Sequence, residues 1–233
     1  MPREMFDRDL QELEDELLTL GSRVERAITD SVSSLKRRDR ETAQQIVEQD
    51  RQLNEKRYEL EAKALTLIAT QQPMAGDLRT IAAILSLASE LERIGDYAKG
   101  IAKINVMMGD APLLKPLIDV PRMAEKTRDM LHAALQAFAE RNVDLARSIP
   151  KRDDEVDGLY NQVYRELLTY IISDPRTIDQ ATYLLWVAHN LERAADRVIN
   201  ICERVIFTVS GKLVELKGSD DEGEITYKNE ALS

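Results

Sequence analysis

Apolar residues recur along this chain at spacings of three and four, the period of a helix with one buried face. Leu10, Leu13, Leu17, Leu20, Val24, Ala27, Ile28, Val32 and Leu35 trace one such stripe and predict a helix over 8–37. The charged run Arg37-Arg38-Asp39-Arg40 breaks it. Ile46, Leu53, Leu60 and Leu67 then return every seven residues, the mark of a long packed helix. After a loop at Gln71-Gln72-Pro73-Met74-Ala75-Gly76, a third stripe runs through Ile84, Leu87, Leu91, Ile94, Ala98 and Ile101, and Gly109-Asp110-Ala111-Pro112 closes it. The second half reads alike. Met123, Met130, Ala134 and Phe138 predict a helix over 120–140, and Asn142 and Asp144 mark a break. Ile149, Val156, Val163 and Leu167 predict a fifth helix over 145–172, in which Pro150 either makes a kink or marks the true start. Beyond Ser173-Asp174-Pro175-Arg176, Thr177-x-x-Gln180 has the form of a capping box opening a sixth helix to about Phe207.

The halves also share a motif. Leu91-Glu92-Arg93-Ile94-Gly95-Asp96 recurs as Leu191-Glu192-Arg193-Ala194-Ala195-Asp196. Upstream, Asp50-x-x-Leu53-Asn54 recurs as Asp153-x-x-Val156-Asp157. Two matches in the same order point to duplication of a unit of about 100 residues. The expected fold is all-α: two tandem, pseudo-symmetric, antiparallel three-helix bundles forming an elongated body. The first repeat is placed at 1–112 and the second at 113–216, with an acidic, poorly ordered tail at 217–233. A rotation should superpose Glu92 on Glu192.

Composition narrows the function. Of 233 residues, 43% are hydrophobic, enough for a core, while only 5% are aromatic, which suits helices better than strands. Thirty-two basic residues against 42 acidic ones leave a net charge of −10, with no electrostatic footprint for nucleic acid or an anionic membrane. A single cysteine, Cys202, excludes an intrachain disulfide and fits a reducing compartment. No signal-peptide pattern opens the chain and no run approaches the roughly 18 apolar residues of a membrane span, so a cytoplasmic protein without direct membrane insertion is expected.

The candidate chemistry lies in the carboxylates. Glu92 and Asp96, four residues apart, share a helix face beside the Leu91 stripe, as Glu192 and Asp196 do beside Leu191. Asp153 and Asp157 flank Val156, and Asp50 and Asn54 flank Leu53. Like charges at that spacing destabilise a helix by roughly 0.2–0.5 kcal/mol, so something must compensate. Nearby arginines (Arg93 and Arg193, or Arg51 and Arg152) are one answer. A hard divalent cation, or iron with bridging oxygen, held where the second and third helices of a bundle bring these acids together, is the other. His189, Asn200 and Glu203 share the face of Glu192; His132 reads as surface, Cys202 as core, Trp186 as core edge or interface. Asp77 and Arg79 read as a pair capping the third helix. There is no Gly-rich phosphate loop, no Ser-His-Asp order and no Cys-x-x-Cys. A di-iron enzyme would need Glu-x-x-His motifs, which are missing, and a plain helical scaffold with solvated acids is the other alternative.

The repeated Leu-Glu-Arg-x-x-Asp and the stretch Gln71-Gln72-Pro73-Met74-Ala75-Gly76-Asp77-Leu78-Arg79 resemble the PhoU family of bacterial phosphate-uptake regulators, over about residues 5–216. That resemblance implies two three-helix bundles and metal-binding acid pairs, here Asp50 with Asn54, Glu92 with Asp96, Asp153 with Asp157, and Glu192 with Asp196. Magnesium, manganese, iron or zinc are the implied ions. Asn54 stands where the motif has an acid, so the second repeat is expected to bind metal better than the first. The resemblance further implies a non-enzymatic adaptor between the ATPase subunit of a phosphate ABC transporter and a phosphate-sensing histidine kinase. It implies a homodimer, and a protein that holds the starvation response and uptake down when phosphate is plentiful.

Overall fold

A computed structural model describes residues 2–216 and the pair 225–226; the rest of the expected acidic tail lies outside the described residues. Three long helices, α1 (Pro2–Arg37), α2 (Arg40–Gln71) and α3 (Ala75–Met107), make the first repeat. The second comprises α4 (Asp119–Glu140), a short α5 (Val143–Ser148), α6 (Pro150–Ser173) and α7 (Ile178–Ser210). Pro150 is therefore a true helix start, with its missing N–H placed where no intrahelical partner is needed. After α7 the chain makes one addition to an all-helical reading: strand β1 (Val214–Glu215) pairs antiparallel with β2 (Ile225–Thr226).

The same turn ends the first helix of each repeat. Arg38 and Arg141 take the left-handed conformation, with φ of 56° and 55°. The next residue then caps the following helix: Asp39 accepts from Thr42 N–H at 3.0 Å, and Asn142 accepts from Leu145 N–H at 3.0 Å. The Arg38 guanidinium donates to Asn105 Oδ1 at 2.6 Å and to the Gly109 carbonyl at 2.7 Å, tying this turn to the end of α3. A left-handed arginine is thus held by bonds that its own side chain makes.

Two expected caps form differently. Asp77 does cap α3, accepting from Met74 N–H at 3.3 Å, but its ion-pair partner is Arg3 at 2.7 Å rather than Arg79. Arg79 instead reaches the Thr208 carbonyl at the far end of α7. The capping box at Thr177 is absent. Asp174 starts a 3-10 turn over Pro175–Thr177, and the Thr177 hydroxyl donates back to the Asp174 carbonyl at 2.8 Å. Thr177 has φ −85° and ψ −1°, a helical rather than extended backbone, so its hydroxyl turns back to Asp174 and not forward to the N–H groups of α7.

The two bundles stand side by side. Helix α3 packs antiparallel along α7, and α1 along α4. Leu17, Leu20, Ile84, Leu87, Leu91, Phe138, Leu191 and Val198 are all fully buried and belong to one hydrophobic core that spans both repeats. Across α3 and α7, Arg197 pairs with Glu90 at 3.5 Å and Arg193 hydrogen-bonds Tyr97. Across α1 and α4, Arg141 pairs with Glu14, and His132 Nδ1 lies 3.3 Å from Glu25.

Gly21 on α1 meets Leu135 of α4 at close range: a Cβ there would sit 2.3 Å from Leu135 Cδ1. Gly21→Val should therefore destabilise the protein by about 1–3 kcal/mol through overpacking, despite the better intrinsic helix propensity of valine. Chemical denaturation checks it, and a variant as stable as wild type would mean that the α1–α4 contact is looser than described.

Candidate functional site

Helices α2 and α3 carry the acids of the first repeat, α6 and α7 those of the second. Asp50 is 7% exposed and Asp153 6%, because each faces the adjoining helix while retaining a polar rim. The two clusters then diverge.

In the first, a lysine enters. Lys99 Nζ donates to Asp50 Oδ2 at 2.6 Å and to Asp96 Oδ1 at 2.8 Å. Asn54 adds a 3.3 Å bond from its amide to the same Asp50 oxygen. Burial works against the lysine's charge, but the hydrogen bonds to Asp50 and Asp96 outweigh it and hold the ammonium above its ordinary pKa. Burial and the charge of Asp96 raise the Glu92 carboxyl, partly offset by Arg57 and Arg93. A cleft of about 360 Å³ opens beside this cluster, with Arg23, Arg26 and Lys99 as well as Asp30 and Asp50 on its walls.

In the second, no lysine among the described residues enters. Asp153 Oδ1 and Glu192 Oε2 are buried without a hydrogen-bond partner; His189 Nδ1 stands 3.3 Å from the latter but out of hydrogen-bond alignment. Burial first, then the charges of Asp157, Asp196 and Glu192, push Asp153 up to about 7. Burial first, then the charge of Asp196, also raise Asp157 and Glu192, the latter partly offset by His189 and Arg193. Arg193 Nη1 reaches only Asp196, at 2.8 Å. These four acids are close enough to repel one another strongly. Yet among the described residues no group of three or more His, Cys, Asp or Glu side chains is arranged to hold a metal ion. The donor chemistry, two orphaned buried carboxylate oxygens among four acids, fits a hard cation; the spacing as it stands does not complete a ligand set.

Of the arginines expected to compensate, Arg51 turns to Glu55 on its own helix at 2.8 Å. The residue missed was Lys99, three positions after Asp96 on the same helix face. In a chain this charged, such a lysine reads as a solvated residue, and only the packing of α2 on α3 shows that it bridges.

The other candidates are quieter. Cys202 is fully buried and its thiol is pushed up to about 12, which leaves it unreactive at neutral pH. Glu203 accepts from Leu216 N–H at 2.9 Å, so it anchors the segment after α7. His132 is largely exposed, and Trp186 is half exposed against the edge of Tyr183. Tyr164, Leu168 and Ile172 form an exposed apolar line along α6. No helix among the described residues is long and apolar enough to cross a membrane.

Comparison with known proteins places this architecture. The PhoU domain model matches residues 17–104 and again 120–205. A phosphate-specific transport system accessory protein PhoU homolog from Clostridium acetobutylicum is 38% identical over 217 residues, covering 93% of this chain and 99% of that one. Its counterpart from Aquifex aeolicus is 33% identical, with 93% and 98% covered. Among solved structures, the phosphate transport system regulatory protein PhoU from Streptococcus pneumoniae superposes with a TM-score of 0.84 at 32% identity, over 91% of this chain and all of that one. PhoU from Pseudomonas aeruginosa gives 0.83 at 34% identity, with 88% and 99% covered.

Proposed function

Because the chain belongs to the PhoU family, we propose that it is an accessory regulator of phosphate uptake that works by contact rather than by catalysis. It holds a phosphate ABC transporter, through its ATPase subunit, together with a phosphate-sensing histidine kinase in a signalling-off arrangement when phosphate is plentiful. The observation that carries this reading is the match of both repeats, across nearly the whole chain, to accessory proteins of phosphate transport. The physical features agree with it. One core spans both repeats, the ionisable clusters are built mainly of carboxylates, with Lys99 tied to two of them, and the cysteine is buried.

A cytoplasmic protein of net charge −10 gains little from anionic lipid and is recruited to the inner face of the membrane by protein. The acid faces steer basic partner patches. The apolar line of Tyr164, Leu168 and Ile172 supplies the kind of surface that partners, or a second copy in a homodimer, cover. Metal enters as a modulator: a divalent cation or iron at Asp153, Asp157, Glu192 and Asp196 would neutralise the acids and change what that face attracts.

Co-purification from membrane and cytoplasmic fractions tests the adaptor. Wild type should bring down the transporter ATPase or the kinase at high phosphate. Changing Glu92, Asp96, Glu192 and Asp196 to Ala should weaken this about tenfold or more, given the several-fold worth of each rim charge. Wild type that never associates at any phosphate level ends the adaptor reading. Association that survives all four changes moves the contact to the apolar line on α6.

A further inference from the structure

We infer that Lys99 is a built-in counter-ion that takes the place of a metal in the first repeat, leaving the second repeat as the protein's one cation-responsive cluster. The second half of this inference rests on the metal reading above; the first half does not.

Lys99 Nζ lies within hydrogen-bond distance of one oxygen from each helix, Asp50 on α2 and Asp96 on α3. A cation bridging the two helices would have to compete with this ammonium for the same two carboxylates. Asn54 fills a further position around Asp50 Oδ2 with an N–H donor, which a cation cannot share. The cleft beside the cluster adds Arg23 and Arg26, so an approaching divalent ion meets positive charge on that side. The metal implied by the family therefore does not fit the first cluster as built.

The second repeat inverts each of these features. Asp196 is followed after three residues by Ile199, where Asp96 is followed by Lys99. Asp157 replaces Asn54. Asp153, 94% buried by its 6% exposure, turns an unpartnered Oδ1 into the cluster, and Glu192 Oε2 is likewise unbonded. At that end Arg193 meets Asp196 of its own helix, and among the described residues no lysine bridges α6 to α7, whereas a tethered ammonium bridges α2 to α3 at the other. The first repeat is thus independent of ion supply and the second is not.

The test uses the full chain in two arms. In chelator, Lys99→Met should lower the melting temperature by about 3 °C or more. The loss should disappear when Asp50→Asn and Asp96→Asn are already present, because the lysine acts through those acids. Ile199→Lys should raise the melting temperature by giving the second repeat the same counter-ion. With added Mn²⁺, wild type should bind at the second repeat, and Ile199→Lys should weaken that binding about tenfold or more. Lys99→Met combined with Asn54→Asp should create a second Mn²⁺ site. If Lys99→Met changes neither melting nor Mn²⁺ uptake, or lowers melting equally in the acid-free background, the counter-ion inference is overturned. If wild type takes up no Mn²⁺ while the chelator results hold, the metal reading falls alone and Lys99 keeps its role.

Discussion

Leu91→Ala and Leu191→Ala should each cost about 2–5 kcal/mol of stability, among the largest effects of any single change outside the clusters. Both leucines are fully buried, and both lie on helices that are covered from two directions. Leu91 sits on α3 among α1, α2 and α7; Leu191 sits on α7 among α3, α4 and α6. Helices held on two sides close poorly over a void, so the cavity cost adds to the lost transfer energy. The measurement is urea denaturation, read as a shift in midpoint at unchanged slope. A cost below about 0.5 kcal/mol would put the stripe on the wrong face. Because one core serves both repeats, each variant should still unfold in a single transition; two separated transitions would mean that the repeats are independent domains.

The second large effect is electrostatic and depends on pH. In metal-free protein, Asp153 is held at about 7 in the folded state, against an ordinary value of 3.8. The folded protein therefore binds more protons than the unfolded chain between these values, and stability falls as pH rises through that window. Below about pH 4 both states are protonated and the penalty vanishes; above about pH 7 it is complete. Asp153→Asn should therefore stabilise the protein by about 2 kcal/mol at pH 8, after discounting for the water that reaches Asp157 and Glu192, and should gain little at pH 4. The proton belongs to the cluster as a whole, so Glu192→Gln should recover part of the same gain. Denaturation at pH 4, 6 and 8 in chelator decides it, and an Asp153→Asn gain that is flat with pH would show that the acids do not feel one another.

Much of the fold was legible because spacing alone reports a helix with one buried face, and six of the helices carry it. Pro150 was legible as a start because proline has one comfortable place in a helix. The arrangement of the bundles was not. Besides its leucine and isoleucine stripe, α3 buries Ala83, Ala88, Ala98 and Ala102, so a further face of it is covered by small residues, Ala102 lying against Ala43 and Ile46 of α2. Alanine is so ordinary in helices that this face carries no signature in the sequence. Thr177 misled because a capping motif assumes an extended N-cap backbone, while the 3-10 turn that Asp174 and Pro175 begin makes Thr177 helical and aims its hydroxyl backwards. At the site, the repeat drew attention to eight positions, seven of them acids, because duplication carried the spacing into both halves. Lys99 escaped for the opposite reason: it breaks the repeat, and a comparison of halves looks first at what they share.

The contacts between the repeats follow a mirrored order. Glu14 meets Arg141, Gly21 meets Leu135 and Glu25 meets His132, so the ladder turns about Arg26 and its counterpart Asp129. Glu90 meets Arg197, Tyr97 meets Arg193 and Gly100 approaches Asn190, turning about Gly95 and its counterpart Ala195. Each helix thus packs on its own equivalent about a common local dyad, the relation that an isologous homodimer imposes. In such a dimer every substitution appears twice, and a lysine admitted to one acid cluster would be admitted to both. Joining the halves in one polypeptide removes that constraint. Lys99 and Ile199, or Asn54 and Asp157, are differences that only a fused pair sustains, and they give a nearly symmetric body a head and a tail. A partner docking across the dyad therefore has a polarity to read, where a true dimer would offer two identical orientations.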